Sequence, residues 1–439
     1  VKKKKIVVAI MLAGVSCAVF ATDARVETMG RTDRFFKDET SIHRNAADLG
    51  LYDKIMYGSY GFIDSTSNSS YKGIVPKLPM FGGAVSMGQK EGSSSKFAIG
   101  ATFNRVDSAL NYVMFNVKDL GLDYKGLKSS TNQGERPVVF AGNSIPDDRG
   151  YASDKSMSLV GKVDLMLAQT FSNGTTIGLG GYLAFQDSSA DRSSNNYRNR
   201  FVRGNIGVNT PIGDNTALEA SVGLSALDLR GYISRAIGES QWYDAAKNDL
   251  GMHVDVRLFS DISSISGAFV PHIQANVVQY DCGREHLLDF NAGLGLNLNI
   301  DRGFFWAGLE GLYNKKSRAI TNAMAVNGGD SIFYYGKKDL IGGKIAFGIE
   351  RNVLTDWFII RVGGAKLLAK ETRADGKDGS NWVENPDADH VSLGMGVNIE
   401  DRLKIDFTVV NNLPYTFTNL FGSGSSPYVM SRVSAVFAF

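Results

Sequence analysis

Val429-Met430-Ser431-Arg432-Val433-Ser434-Ala435-Val436-Phe437-Ala438-Phe439 ends the sequence, and its alternation decides the fold class. Val433, Ala435, Phe437 and Phe439 share one face of an extended strand, and Arg432 lies on the other. A soluble core has little use for an aromatic last residue at the tip of such a strand. A closed membrane β-barrel does: its final strand seals the ring, and the outer face of that strand must be apolar.

Working back from that end, the sequence from residue 156 onward is a ladder of alternating segments. They are 156–171, 174–187, 200–212, 215–229, 250–261, 265–281, 286–300, 303–316, 338–350, 356–369, 390–400, 402–411 and 429–439. Most run to about 10–16 residues, against roughly 5–6 for a soluble strand and about 9–11 for a tilted membrane strand. Short turns such as Ser172-Asn173, Gly213-Asp214 and Asp301-Arg302 alternate with longer loops at 188–199, 230–249, 317–337, 370–389 and 412–428. Short periplasmic turns opposite long extracellular loops are the expected asymmetry of a bacterial barrel. Upstream candidates are 55–62, 80–88 and 96–104, while 110–117 reads equally as strand, lumenal excursion or loop hairpin. The expected fold is all-β, a transmembrane antiparallel β-barrel of about 14–16 strands.

Period-two alternation then assigns faces. Met252, Val254, Val256 and Leu258 oppose His253, Asp255 and Arg257; Leu403, Ile405, Phe407 and Val409 oppose Lys404 and Asp406. The same parity places Lys162, Asp164, Arg203, Glu219, Glu310, Lys344, Arg361 and Arg432 toward the lumen. A lysine or arginine on the lipid face at the midplane costs about 2–4 kcal/mol, which this parity avoids. Parity alone leaves open a water-soluble barrel with the faces exchanged. Phe304, Phe305, Trp306, Trp357, Phe358, Phe171 and Phe439 cluster near the expected periplasmic turns and read as an interfacial girdle.

Residues 1–21 read as a secretory signal peptide: Lys2 to Lys5, an apolar run from Ile6 to Phe20, then Val19-Phe20-Ala21 before the expected cleavage. The chain has 439 residues with 49 glycines and 2 cysteines, Cys17 and Cys282. The first cysteine falls in the signal, so the expected mature chain has no internal disulfide. A net charge of +2 points to no nucleic-acid or other polyanion partner.

Residues 22–54 differ in texture, with Arg25, Glu27, Arg31, Asp33, Arg34, Lys37, Asp38 and Glu39 ahead of Ile42-His43-Arg44-Asn45-Ala46-Ala47. They read as an arm that caps the periplasmic mouth or plugs the lumen, ahead of a barrel over 55–439. Asn45-Ala46-Ala47 resembles the Asn-Pro-Ala stretch before the first strand of long-chain fatty-acid transporters and the secretion-associated barrels related to them, with alanine for proline. That resemblance implies a barrel of about 14 strands with the N-terminal segment inside or beneath it. Across its whole length the chain resembles bacterial outer-membrane barrels. That resemblance implies outer-membrane localisation, contact with outer-membrane lipids and lipopolysaccharide, and an assembly signal, here Val433, Ala435, Phe437 and Phe439, read by the barrel insertion machinery.

No catalytic or metal constellation emerges, and no cofactor is expected. His253 and His272 read as polar wall residues. Cys282, Glu285 and His286, and the run Asp375-Gly376-Lys377-Asp378, read as loop residues without metal-ligand spacing. The mixed lumenal charges either line a water-filled pore or pair and fill it. The expected function is passive diffusion of small polar solutes, since barrels of this size usually leave an aqueous channel. The alternatives are a surface or scaffold barrel that binds a secreted or surface partner, and a hydrophobic-substrate transporter of the fatty-acid type.

Overall fold

The computed structural model describes residues 23–52, 54–63, 75–76, 79–87, 95–105, 107, 161–188, 197–234, 240–280, 285–322, 332–353, 356–373, 381–383, 389–410, 413 and 429–439. The expected signal peptide, the 110–117 segment, Cys282 and the Asp375 run lie outside them.

Helix α1 (Asp23–Thr28) and two 3-10 turns, η1 (Glu39–His43) and η2 (Ala46–Leu51), precede the strands. The strands are β1 (Lys54–Ile63), β2 (Val75–Pro76), β3 (Met80–Met87), β4 (Lys96–Phe103), β5 (Gly161–Thr170), β6 (Thr176–Ser188), β7 (Tyr197–Pro211), β8 (Thr216–Ser234) and β9 (Ser240–Ile262). They continue as β10 (Gly267–Tyr280), β11 (Glu285–Ile300), β12 (Gly303–Asn322), β13 (Ile332–Asn352), β14 (Phe358–Arg373), β15 (Asn381–Val383), β16 (His390–Ile399), β17 (Leu403–Val410) and β18 (Val429–Ala438). The two shortest, β2 and β15, pair with the outer ends of β1 and β14. The other 16 form a closed antiparallel barrel in chain order. Closure is direct: β18 pairs with β1 from Ile55↔Ala438 to Gly61↔Arg432. The Phe439 amide donates to the Lys54 carbonyl at 3.2 Å, so the terminal aromatic sits at the base of the seam.

The faces settle what parity left open. On β9, Met252 is 46 % exposed, while His253, Asp255 and Arg257 are 8 %, 5 % and 1 % exposed. Large apolar side chains are exposed around the ring, among them Leu165, Ile206, Leu224, Leu309 and Ile341, and charged side chains are buried inside it. This inverts a soluble protein and matches a wall bathed in lipid. The chain is an outer-membrane β-barrel, and its buried charges face inward.

Three expectations need correction. The loops expected at 230–249 and 317–337 are largely strand, because β8, β9, β12 and β13 run to 19, 23, 20 and 21 residues and continue past the membrane as paired ribbons. By contrast β3, β4 and β17 have only 8 residues each, so the wall is tall on one side and low on the other. The strand count departs from the fatty-acid-transporter resemblance. The girdle is also thinner than expected. Trp357, Phe171 and Phe439 are exposed at the rim, but Trp306 is 0 % exposed and Phe304 packs against Phe36 inside the ring.

Candidate functional site

The lumen is occupied by the chain's own N-terminal segment. Helix α1 lies against β14, β16, β17 and β18, whereas η2 lies against β4, β5, β6 and β7 on another arc of the ring. Local sequence chemistry shapes the segment. The chain turns after α1 at Gly30 and Arg31, both at positive φ. The Asp38 carboxylate caps η1 by accepting from the Thr40 amide at 3.0 Å. The Asn45 side chain caps η2 by accepting from the Ala47 amide at 3.1 Å, and its Nδ2 donates to the Val208 carbonyl of β7 at 3.2 Å. These are ordinary cap functions for Asp and Asn.

Three buried charge clusters join segment to wall, and a fourth lies beside them in the lumen. In the first, the Arg25 guanidinium forks onto Glu350 at 2.7 and 2.8 Å and reaches Asp38 at 3.3 Å. Arg361 donates to the same Glu350 at 2.9 Å and forms an ion pair with Asp406 at 2.8 Å, with Lys404 buried beside them. In the second, Glu310 accepts from Arg34 at 2.7 Å, with His272 at 3.1 Å and Lys344 at 3.8 Å. In the third, Arg257 donates to Glu219 at 2.8 Å and to the backbone carbonyls of Asp33 and Phe36 at 2.8 and 3.2 Å. Asp48 and Lys37 complete it at 3.4 Å from Arg257 and 2.8 Å from Glu219, and Arg44 links Asp33 at 2.6 Å to Asp255 at 3.6 Å. The fourth lies at the start of the long segment after β4. There Arg105 bonds Asp164 and Asp107 at 2.6 and 2.9 Å, and Arg203 bonds Asp107 at 2.9 Å and His253.

The lumen-facing candidates are thus distributed as follows. Glu219, Asp255, Arg257, Glu310, Lys344, Arg361 and Asp406 gather around residues 25–48, with Lys404 alongside. Asp164, Arg203 and His253 gather around Arg105 and Asp107. Arg432 stands 3.5 Å from Glu27, and Lys162 is half-buried with no ion pair to these clusters among the described residues. Sequence reading missed Glu350, although it continues the inward parity of Lys344 along β13. It also missed the segment-side partners, because parity names a side and not a partner 325 residues away.

Between the charges lies an apolar seat. Phe35 stacks on Trp306 with ring centroids 5.3 Å apart and meets His272 edge-on at 4.9 Å; Phe36 lies 5.7 Å from Trp306. Met29, Ala346 and Ala365 close this cluster. Wall glycines admit the segment. A Cβ at Gly178 would lie 2.2 Å from the Ala46 carbonyl carbon, one at Gly207 1.8 Å from Asn45 Oδ1, and one at Gly295 2.1 Å from the Phe35 ring. Gly178→Ala is therefore expected to dislodge η2 at a cost of about 1–3 kcal/mol. Limited proteolysis within residues 23–52 is the readout, with Gly181→Ala, which meets nothing within 4 Å, as the silent control.

Docking also responds to pH. Burial lifts the Asp38 carboxyl to about 6, outweighing the pull of Arg25 and the Thr40 amide, because Glu350 already engages Arg25. Burial and the neighbouring Glu219 raise the Asp48 carboxyl too. Asp33 shifts the other way: Arg44 and Arg257 outweigh its burial, so its contribution changes below the ordinary aspartate range. An undocked Asp38 titrates near 3.8. Between 3.8 and about 6 the docked state holds more protons, so docking weakens as pH rises through that window, by roughly 3 kcal/mol for Asp38. Hydrogen exchange of the segment is expected to quicken from pH 4.5 to 7 beyond its intrinsic rate, and Asp38→Asn is expected to flatten that change.

No family model matches the chain, and no curated protein matches its sequence. Among solved structures, it is similar to a TodX monoaromatic hydrocarbon channel deltaS2 mutant at 10 % identity and TM-score 0.41, covering 95 % of this chain and 98 % of that one. The Pseudomonas putida toluene transporter TodX gives 10 % identity and TM-score 0.39, over 95 % and 97 %. CdiB from Escherichia coli gives 10 % and 0.36, over 88 % and 63 %. The barrel itself is established by the closed strand register and the inverted faces, not by these overlaps.

Proposed function

We propose that this barrel is a gated outer-membrane channel, closed at rest by residues 23–52, whose cargo is hydrophobic and of the fatty-acid type. The observation that carries the reading is the occupied lumen. A hydrated solute needs a continuous water path, and here that path meets four buried charge clusters and a packed aromatic seat. Free diffusion of small polar solutes is therefore the weaker reading. When the Phe35–Phe36 part of the segment shifts, it uncovers Phe304, Trp306, Ala346 and Ala365 beside Gly295 and Gly308. That strip of inner wall offers aromatic and alanine contact between the buried charges of Glu310 and Glu350, and its apolar surface suits a hydrophobic molecule better than a sugar or ion.

The test uses two transport assays. Intact cells carrying the protein are expected to take up a labelled long-chain fatty acid faster than cells without it. Proteoliposomes are expected to show no swelling with small sugars. Sugar-driven swelling at open-pore rates, with fatty-acid uptake unchanged, would overturn the proposal.

The β8–β9 and β12–β13 ribbons favour a second reading, a surface barrel that binds a partner, because they rise well past the roughly 25 Å apolar band. Co-purification of a secreted or surface protein that is lost on shortening these ribbons would support it.

A further inference from the structure

On the outer face of the tall side, a group of lysines caps an aliphatic bed. Lys315 on β12 and Lys370 on β14 are both exposed, and both stand twelve residues above the first residue of their strands. At the usual rise and tilt this is about 30 Å above the periplasmic turns, just beyond an apolar band of about 25 Å. The register sets them on the two strands that flank β13, two residues apart in level: Lys315 faces Asp339 of β13, and Lys370 faces Ile341 of the same strand. Below them Leu309, Ile341, Ile345 and Leu368 are exposed to lipid. Lys366, four residues lower on β14, is exposed and held by Asp389, whose other oxygen accepts from the Leu367 amide at 2.7 Å. Near the outer ends of β1, β3, β4 and β6 the outward side chains are instead Tyr60, Phe81, Phe103 and Phe185.

We propose that Lys315 and Lys370, assisted by Lys366, form a binding site for a phosphorylated glycolipid of the outer leaflet, with its phosphates on the ammonium groups and its acyl chains on the aliphatic bed. The ammonium groups sit where lipid headgroups begin, and lysine stems reach that level along apolar surface. Asp339 and Asp389 carry the opposing charge; Asp389 engages Lys366, and among the described residues of this face Lys315 and Lys370 are exposed cations at headgroup height. A phosphorylated lipid is favoured over a neutral one by charge, and over a soluble anion by the aliphatic bed directly beneath. The site is independent of the lumen and of what the channel carries.

Native mass spectrometry of the full mature chain in detergent, titrated with bis-phosphorylated lipid A, tests this. The wild type is expected to retain the lipid, and Lys315→Glu/Lys370→Glu to bind about tenfold or more weakly. Dephosphorylated lipid A is expected to bind the wild type as weakly as the double variant binds the phosphorylated form. Lys54→Glu, at the periplasmic end, is expected to bind as the wild type does. The milder Lys315→Gln/Lys370→Gln reads the same effect if charge reversal impairs insertion. Equal binding by the wild type and either double variant, or equal binding of both lipid forms, would overturn the site.

Discussion

Deleting residues 23–52 while keeping residues 1–22 and the barrel is expected to turn a nearly silent protein into a steadily conducting pore. A ring of sixteen strands encloses a lumen wide enough for water once nothing fills it. In the intact chain that lumen holds Ala24, Met29, Phe35, Ile42 and Leu49, none more than 1 % exposed. Single-channel conductance in planar bilayers is expected to rise by about tenfold or more. The deleted protein leaves buried wall charges facing water instead of partners, which water solvates, so the wall itself is expected to survive. Retained β-structure and heat-modifiable migration verify that before conductance is compared. Equal conductance from intact and deleted proteins would mean that the segment does not close the pore.

The second large effect is expected from Glu350→Ala. Glu350 accepts from Arg25 on the segment and from Arg361 on the wall, and all three are largely buried. Removing the shared acceptor leaves two guanidinium groups buried with less compensation. Breaking a buried pair from one side typically costs about 3–5 kcal/mol. The cost falls on docking first, since Arg361 keeps Asp406 at 2.8 Å whereas Arg25 is left with the longer 3.3 Å contact to Asp38. The expected readouts are protease cleavage near α1 and frequent channel openings, with the barrel's own melting little changed. Arg25→Met, which removes the charge and keeps a long stem, is expected to dock better than Glu350→Ala, because Glu350 retains Arg361. If the two variants behave alike, the cluster is not what holds α1.

Much of this architecture was written in plain view. Period-two alternation is forced wherever a strand separates lipid from lumen, so Met252 and His253 declare their sides without any structure. The strand ladder and the even closure follow from the same constraint. What met the inward charges was not legible. Arg25 and Glu350 are 325 residues apart, and parity assigns a side without naming a partner. Trp306 read as a girdle residue because an aromatic beside a periplasmic turn suits the interface equally well; only its inward parity, shared with Glu310, argued otherwise. The glycine excess was countable, but its cause at Gly178, Gly207 and Gly295 appears only when the segment lies against the wall. The outer ends of β8, β9, β12 and β13 were missed because past the membrane no lipid enforces alternation.

The most direct measurement is conductance with the segment locked in place. In a Cys17→Ser/Cys282→Ser background, Ala24→Cys with Ser434→Cys and Asp48→Cys with Asn209→Cys tie both ends of the segment to the wall, at contacts of 2.9 and 3.3 Å in the native chain. A lumen closed by residues 23–52 predicts a silent protein when oxidised, openings that return on adding reductant, and continuous conductance from the deletion in either condition. An oxidised, fully cross-linked protein that conducts like the deletion would contradict it.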